Sequence, residues 1–473
     1  MEQLPNLSNL SHEQKDQLIY MLWEQVRVLT AKVKELEDRL SKNSGNSNKP
    51  PSSDGFNKPK PQSRRHKNKK KKVGGQKGHQ GTTLKRSANP DKVESHDPEQ
   101  CWLCAATLLE EERLDYEGRQ VFDLPPLNLE VTEHRAYKKS CGCCGVITKG
   151  NFPSEVVQTV QYGPKIKALM VYMNEYQLLP FERSREFFQD VFNQAVSVGT
   201  IFRAIKQSYH HLESAELHIQ QELLKSPVLH ADETGLRLNK VIYWLHVAST
   251  HKLTFYGYHK KRGQDAMQAI GLLPKYQGTL VHDHLKSYFH YGGSNALCNA
   301  HHLRELTFIT ERYKHQWSEK MERLLINIKK AVEAYYEKSG EVLPEKRRKR
   351  YQSMYMNLLS RAREECPHNT EKKGRGKIKQ TKAWNLLNRL RQFNQSVLAF
   401  MYNPLIPFDN NQAERDLRMV KVQQKISGCF RSEEGLQYYC RIRGYISTAK
   451  KQGHSVLVAL QAAIQNQPVM FSL

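Results

Sequence analysis

The sequence predicts a mixed α/β protein assembled from several units, and three observations carry that expectation. Beyond Ser226, three short β-rich runs with tight connections lead into a helical run and a fourth strand. Stretches of helical periodicity flank this block at 163–225 and 313–402. Near the N-terminus, Ile19, Val26, Val33 and Leu40 recur every seven residues, with Leu22, Leu29 and Leu36 at the complementary positions.

That last pattern predicts a coiled coil over 1–42, the a/d seam running for about three heptads, and hence self-association of the chain. A single amphipathic helix packed on its own domain is the plainer alternative. From Ser41 to Asp54 the run SKNSGNSNKPPSSD has short polar side chains and prolines, which neither extend a helix nor bury a core, so 43–82 reads as a disordered linker. It is also basic. Lys58 to Lys72 holds nine Lys and Arg residues and no acid, ending in Lys69, Lys70, Lys71 and Lys72, a block suited to phosphate contact without base reading. The glycines of GGQKGHQG, Gly74 to Gly81, let backbone N–H groups approach phosphate, but the Lys-Ser/Thr ending of a P-loop is missing and nucleotide hydrolysis is not supported.

The chain as a whole supports the same partner. Lysine and arginine number 73 against 48 acids, a net charge of +25, which makes a polyanion the first partner to consider. No apolar run approaches the roughly 18 residues needed to span a bilayer, and no basic-then-apolar signal opens the chain, so a cytoplasmic, nucleoid-associated protein without a membrane partner is expected. Nine cysteines are too few for a disulfide scaffold in 473 residues.

Two CxxC knuckles, Cys101 to Cys104 and Cys141 to Cys144, delimit a small module expected over 83–162, with strand-like segments at Arg119 to Leu124 and Leu129 to Tyr137. Two knuckles can supply four thiolates to one structural Zn2+, with Cys101, Cys104, Cys141 and Cys144 as the chosen set. Cys143 can replace either Cys141 or Cys144, and small buried cysteines or a redox pair are the competing explanations. A helical DNA-binding-like domain is expected over 163–225, where Ser197 caps a helix that follows another at Glu182 to Phe192, an order compatible with a helix-turn-helix and equally with plain packing.

Strands are expected at Pro227 to Ala231, continuing to Gly235, then at Val241 to Ser249, Lys252 to Tyr258, Gly278 to Val281 and Ala296 to Ala300, with a helix from Gln264 to Tyr276. Strand, strand, strand, helix, strand is the order of the ribonuclease-H-like fold, whose first and fourth strands are neighbours. Such neighbours would bring Asp232 and Asp283 together. A third carboxylate is available at Glu414 in PFDNNQAERDLR, on a helix that Asp409 or Asn410 can cap, with Arg415 and Arg418 supplying positive charge for phosphates. Carboxylates suit Mg2+, a hard cation, and a pair of such ions serves phosphodiester chemistry. Glu233 and Glu305 compete for the third place, but strand alternation turns Glu233 away from Asp232. His282 and Arg304 are placed to touch a phosphate. Cys298 and His301 are only two ligands, too few to close a zinc site, and structural or DNA-contacting duty is expected of them.

The motifs HADETG, VHDHLKSY and DNNQAERDLR, in that order with CNAHHLREL between the last two, resemble those of the insertion-sequence-66 family of transposases. SKNSGNSNKPPSSD, GGQKGHQG, the CxxC knuckles, FERSREFF, WLHVAST, KRGQDA and FRSEEGLQYYCRIRGYISTAKKQG fall where that family has related segments, so the resemblance runs from the coiled coil to the C-terminus. It implies a ribonuclease-H-like catalytic core over 226–312 and 403–473, split by a large α-helical insertion at 313–402. It also implies a catalytic triad of Asp232, Asp283 and Glu414 holding Mg2+ or Mn2+, a zinc module, a leucine-zipper-like N-terminus and recognition of transposon ends. Target DNA and small accessory proteins are the further partners implied. Ala105 stands where the family commonly has glycine. The competing reading is a zinc-containing DNA-binding regulator of transposon ends with no catalysis.

Overall fold

The computed structural model describes residues 10–47, 49, 54, 84–125, 127–370, 378 and 380–473. The basic run Lys69 to Lys72 and the glycines Gly74 to Gly81 lie outside them. Two compact units are present, one of residues 1–61, 152–188 and 195–473, the other of 62–151 and 189–194.

Helix α1, His12–Leu40, opens the larger unit, with Ser11 and Gln14 forming a reciprocal capping box at its start. Its seam residues Ile19, Val26, Leu29, Val33 and Leu36 are all exposed. The far end is clamped. The Asp38 carboxylate accepts from Tyr313 Oη at 2.6 Å, Arg312 Nε at 3.0 Å and Lys382 Nζ at 3.0 Å. Partial burial works against charge on Asp38, but these donors outweigh it and hold the carboxyl below its ordinary value.

Of the linker expected over 43–82, only residues 43–47, 49 and 54 are described, and these are bonded in place rather than free. Asn43 Oδ1 accepts from the N–H groups of Gly45 and Asn46, and Asn46 Nδ2 donates to Ser41 O at 3.0 Å and Glu311 Oε2 at 2.9 Å. Ser44 bonds Asp54 through both its N–H and its hydroxyl. Asn46 and Ser47 are buried. The short polar side chains that read as solvated are used here to satisfy backbone groups in a turn.

In the smaller unit, β1 (Lys138–Ser140) and β2 (Ile147–Lys149) form an antiparallel hairpin across the second knuckle. The strands expected at 119–124 and 129–137 do not form. Val121, Leu124 and Val131 are exposed there, and β-branched composition makes no strand without a partner to pair with.

The body of the larger unit begins with α2 (Pro164–Val171), which runs into a π-helical turn at 172–176, then α3 (Phe181–Phe192), α4 (Val198–His211) and α5 (Glu213–Lys225). Ser197 caps α4 as expected, its hydroxyl accepting from Thr200 N–H at 3.1 Å. Five strands follow, β3 (Val228–Leu238), β4 (Val241–Ser249), β5 (Thr254–His259), β6 (Thr279–His282) and β7 (Ser294–Leu297). Their order is β5-β4-β3-β6-β7, with β3, β4 and β5 an antiparallel meander and β6 and β7 parallel to β3. Helix α6 (Gln264–Ile270) is shorter than expected, because Gly271 at φ +79° ends it and a 3₁₀ turn at 273–275 takes over.

Helix α7 (Asn299–Tyr313) follows β7, and α8 (Gln316–Ser339), α9 (Glu345–Glu365), α10 (Lys382–Gln392), α11 (Asn394–Val397) and α12 (Ala399–Tyr402) then occupy the region 313–402 expected to be a helical insertion. They are joined to the sheet by packing. Trp317, Met321 and Leu325 of α8 and Leu386 of α10 share one core with Val281, Ala296 and Leu297 of the β6–β7 edge. The meander has its own core, in which Leu236, Leu245 and Tyr256 meet Ala413, Leu417 and Val420 of α13 (Asn411–Ser427) and Leu436 and Tyr439 of α14 (Glu433–Lys451). Gly444 lets α14 lie close on β5, since a Cβ there would meet the Thr254 carbonyl at 3.2 Å. Helix α15 (Val456–Ile464) completes the unit. No described helix is long and apolar enough to cross a membrane.

Candidate active site

The parallel register between β3 and β6 sets the site. His230 pairs with Val281, so Asp232 and Asp283 each stand two residues further along neighbouring strands that run the same way. Asp283 lies just past the end of β6, where its carboxylate accepts from Leu285 N–H at 3.1 Å in a turn that puts His284 at φ +81°. Asp232 accepts from Glu233 N–H at 2.8 Å.

A third acid joins them, and it is Glu233. Asp232, Glu233 and Asp283 each place a carboxylate oxygen within 4.8 Å of the others. The expectation that Glu233 turns away is therefore corrected. Strand alternation orients a Cβ, whereas a glutamate carboxyl lies further out and can fold back. The Glu233 side chain is 0% exposed, gripped at Oε1 by Arg262 Nη2 at 2.6 Å and Nε at 2.8 Å, and at Oε2 by Tyr288 Oη at 2.6 Å. Arg262 in turn lies 4.8 Å over the Trp244 ring. Sequence reasoning missed Arg262 and Tyr288, although both sit in segments that had been singled out, KRGQDA and VHDHLKSY.

The cluster is electrostatically uncomfortable. Burial, then the charges of Glu233, Asp283 and Glu414, push the Asp232 carboxyl well above its ordinary value. Burial and Asp283 raise Glu233 as well, with Tyr288 and Arg262 opposing.

Glu414 reaches this region from the first turn of α13 but stands in a separate group. Its carboxylate is flanked by two side chains of α7, with Oε1 3.8 Å from His301 Nδ1 and Oε2 3.7 Å from Arg304 Nη2. Cys298, His301 and Glu414 have one ligand atom each within 4.8 Å of the others. Burial raises Glu414, Arg304 opposes, and Asp409 and Asp283 raise it further, so Glu414 and the aspartates sense one another. Arg304, expected to meet DNA, is turned to Glu414.

The start of α13 is held in place by Asn410. Its side chain makes no cap of its own helix, contrary to one of the two capping expectations, and bonds instead across to β3. Nδ2 donates to Ala231 O at 2.8 Å and Oδ1 lies 2.8 Å from His230 Nδ1, while its N–H donates to Cys298 Sγ at 3.2 Å. Asp409 does accept from Asn411 N–H at 3.1 Å. Further along α13, Arg415 and Arg418 are exposed.

Two other candidates, His282 and Glu305, are placed elsewhere, and Cys298 is deeply buried beside Glu414. His282 is fully buried beside Tyr288 and Phe289, with Nε2 3.1 Å from Asn295 Oδ1, so it does not face a phosphate. Burial lowers its pKa to about 4 and keeps it neutral. Glu305 is ion-paired with Arg389 of α10. Burial pushes the Cys298 thiol up to about 12.

In the smaller unit the two knuckles adopt the same turn. Ala105 N–H bonds Cys101 O and Gly145 N–H bonds Cys141 O, both at 2.9 Å, with Ala105 at φ +58° and Gly145 at φ +73°. N–H groups of Cys104 and Leu103 lower the Cys101 thiol, and those of Cys144 and Cys143 lower Cys141, as a thiolate ligand requires. Each knuckle thus fits half of a metal site. Among the described residues the two pairs do not come within 4.8 Å as one group.

Fold and site define a class: a strongly basic α/β protein with a half-buried carboxylate centre of the hard-oxygen kind that divalent cations take. The family follows from comparison. The model of the Transposase IS66 family matches residues 159–438, more than half of the chain, and the chain belongs to that family. Residues 98–145 match the zinc-finger binding domain of transposase IS66, and residues 2–85 match a family of unknown function. No curated protein matches. Membership makes the chain an insertion-sequence transposase, acting on DNA and carrying a zinc-binding domain.

Proposed function

We propose that the chain cuts DNA at transposon ends and joins the resulting 3′-hydroxyl to target DNA, using Asp232, Asp283 and Glu414 in a ribonuclease-H-like core. The observation that carries this reading is the parallel β3–β6 register, which sets two aspartates side by side where their charges repel. Such a centre is comfortable when a cation neutralises it. Mg2+ or Mn2+ would be held by these three acids and, when bound, would supply the positive charge needed to activate an attacking oxygen and stabilise a leaving one.

The chain's own residues do the positioning. Arg262 and Tyr288 fix Glu233 beside the aspartates, Asn410 ties the start of the Glu414 helix to β3, and Arg304 balances the Glu414 charge. Arg415 and Arg418, exposed on the same helix, would meet DNA phosphates, and the Lys69 to Lys72 run would add sequence-independent affinity. Cys101, Cys104, Cys141 and Cys144 close one Zn2+ when their knuckles meet. The open seam of α1 pairs with a second copy of the chain.

Asp232→Asn, Asp283→Asn and Glu414→Gln, assayed on a transposon-end duplex with Mg2+, test the proposal. Each should lose cleavage and strand transfer and keep gel-shift binding. A wild-type chain that binds this duplex and never cuts it, with either metal, would make it a regulator.

A further inference from the structure

Cys298, His301 and Glu414 remain after the catalytic reading has used what it needs. Cys298 stands immediately before α7, His301 one turn along it, and Glu414 comes across from α13. Their sulfur, nitrogen and oxygen atoms converge within 4.8 Å.

Two of these atoms lack what a buried polar atom needs. His301 Nδ1 and Glu414 Oε1 are both screened from solvent, and neither has a hydrogen-bond partner. They face one another at 3.8 Å, too far for a hydrogen bond. Two ligands on one tetrahedral ion, with bonds of about 2.0–2.1 Å, stand roughly 3.4 Å apart, so this gap closes onto a metal with little movement. Cys298 supplies the third donor. Its sulfur accepts the Asn410 N–H at 3.2 Å, which aims it into the group.

We infer that Cys298 Sγ, His301 Nδ1 and Glu414 Oε1 form a second binding site for a zinc-class cation, separate from the cysteine knuckles and from the Asp232–Asp283 pair. Thiol and imidazole donors select a borderline-soft ion over Mg2+, which the aspartates suit better. Three protein ligands leave a fourth position for one further ligand. Because Glu414 also belongs to the proposed catalytic centre, occupancy of this site would tie up an oxygen of that acid. That coupling rests on the catalytic reading; the site itself does not.

The test is zinc content of the full chain, measured by elemental analysis after equilibrium dialysis against buffered Zn2+. Cys298→Ser and His301→Gln should each hold one zinc fewer per chain than the wild type. Cys101→Ser/Cys104→Ser, which disables a knuckle and leaves the larger unit intact, should retain one zinc, and Co2+ loaded into that variant should show thiolate-to-metal charge-transfer absorption. Unchanged zinc content in folded Cys298→Ser and His301→Gln would overturn the site. So would a knuckle variant that binds no zinc and shows no cobalt–thiolate band, a result independent of whether the chain cuts DNA.

Discussion

Asn410 donates its side-chain amide to the carbonyl of Ala231 at 2.8 Å, and this bond joins the helix bearing Glu414 to the strand bearing Asp232. The two residues are remote in sequence, and Asn410 is 1% exposed. Asn410→Ala strands the Ala231 carbonyl and His230 without their partner, which should cost about 1–3 kcal/mol of stability. Activity should fall further than stability does. A loosened α13 misplaces Glu414, and a displacement near 1 Å costs about 100-fold in rate. Chemical denaturation beside a strand-transfer assay separates the effects; full activity in a destabilised variant would show that the tie is structural only.

The repulsion around Asp232 makes stability depend on pH and on metal. Its carboxyl is raised on folding, so its charge opposes the fold. In metal-free protein this penalty is absent below the unfolded aspartate pKa of about 3.9 and sets in as pH rises through that value towards the raised folded one. Asp232→Asn removes it, and should melt higher than wild type at neutral pH without metal, by about 2 °C or more. Mg2+ should raise the wild-type Tm and move the variant much less. A lower metal-free Tm for Asp232→Asn would contradict this account.

Glu233 and Glu305, equivalent as spare acids in the sequence, should behave differently. Glu233→Gln removes a charge within 4.8 Å of both aspartates and weakens the grip of Arg262, so strand transfer should fall by about tenfold or more while stability shifts by only about 1 kcal/mol. Glu305→Gln breaks a partly exposed pair with Arg389, worth about 0–1 kcal/mol, and should leave activity close to wild type. Equal activities in the two variants would remove Glu233 from the site.

Ala105 holds a backbone conformation that suits glycine. At φ +58° an L-residue is disfavoured by about 1–2 kcal/mol, part of which glycine returns as chain entropy, so Ala105→Gly should stabilise the first knuckle by about 0.5–1 kcal/mol. Zinc release to a chelator should slow. Faster release would mean that the turn gains nothing from glycine.

What could be read from the sequence was local. Strand β4 has the limits that its β-rich run suggested, Ser197 caps the helix it was expected to cap, and the turn-bounded runs yielded β3, β5, β6 and β7 within a few residues. The pairing of Asp232 with Asp283 also followed, because the strand order implied a parallel neighbour. What escaped depends on long-range partners. Glu233 returns to the aspartates because Arg262 and Tyr288 hold it there. Residues 43–47 are ordered by Glu311 and by one another, and composition alone cannot express that. Strand composition at 119–137 failed for the converse reason, the absence of a paired neighbour.

The clamp on Asp38 has a consequence for phase. A helix of 29 residues reaches about 43 Å, and α1 leaves its anchorage on Arg312, Tyr313 and Lys382 in a fixed direction. The azimuth of its apolar seam is fixed with it. One residue inserted between Leu36 and Glu37 would keep the seam up to Leu36 and the clamp on Asp38, yet rotate one against the other by about 100°. Whatever docks on that seam is thereby presented at a set angle, like a key whose bit is cut at one position around its shaft.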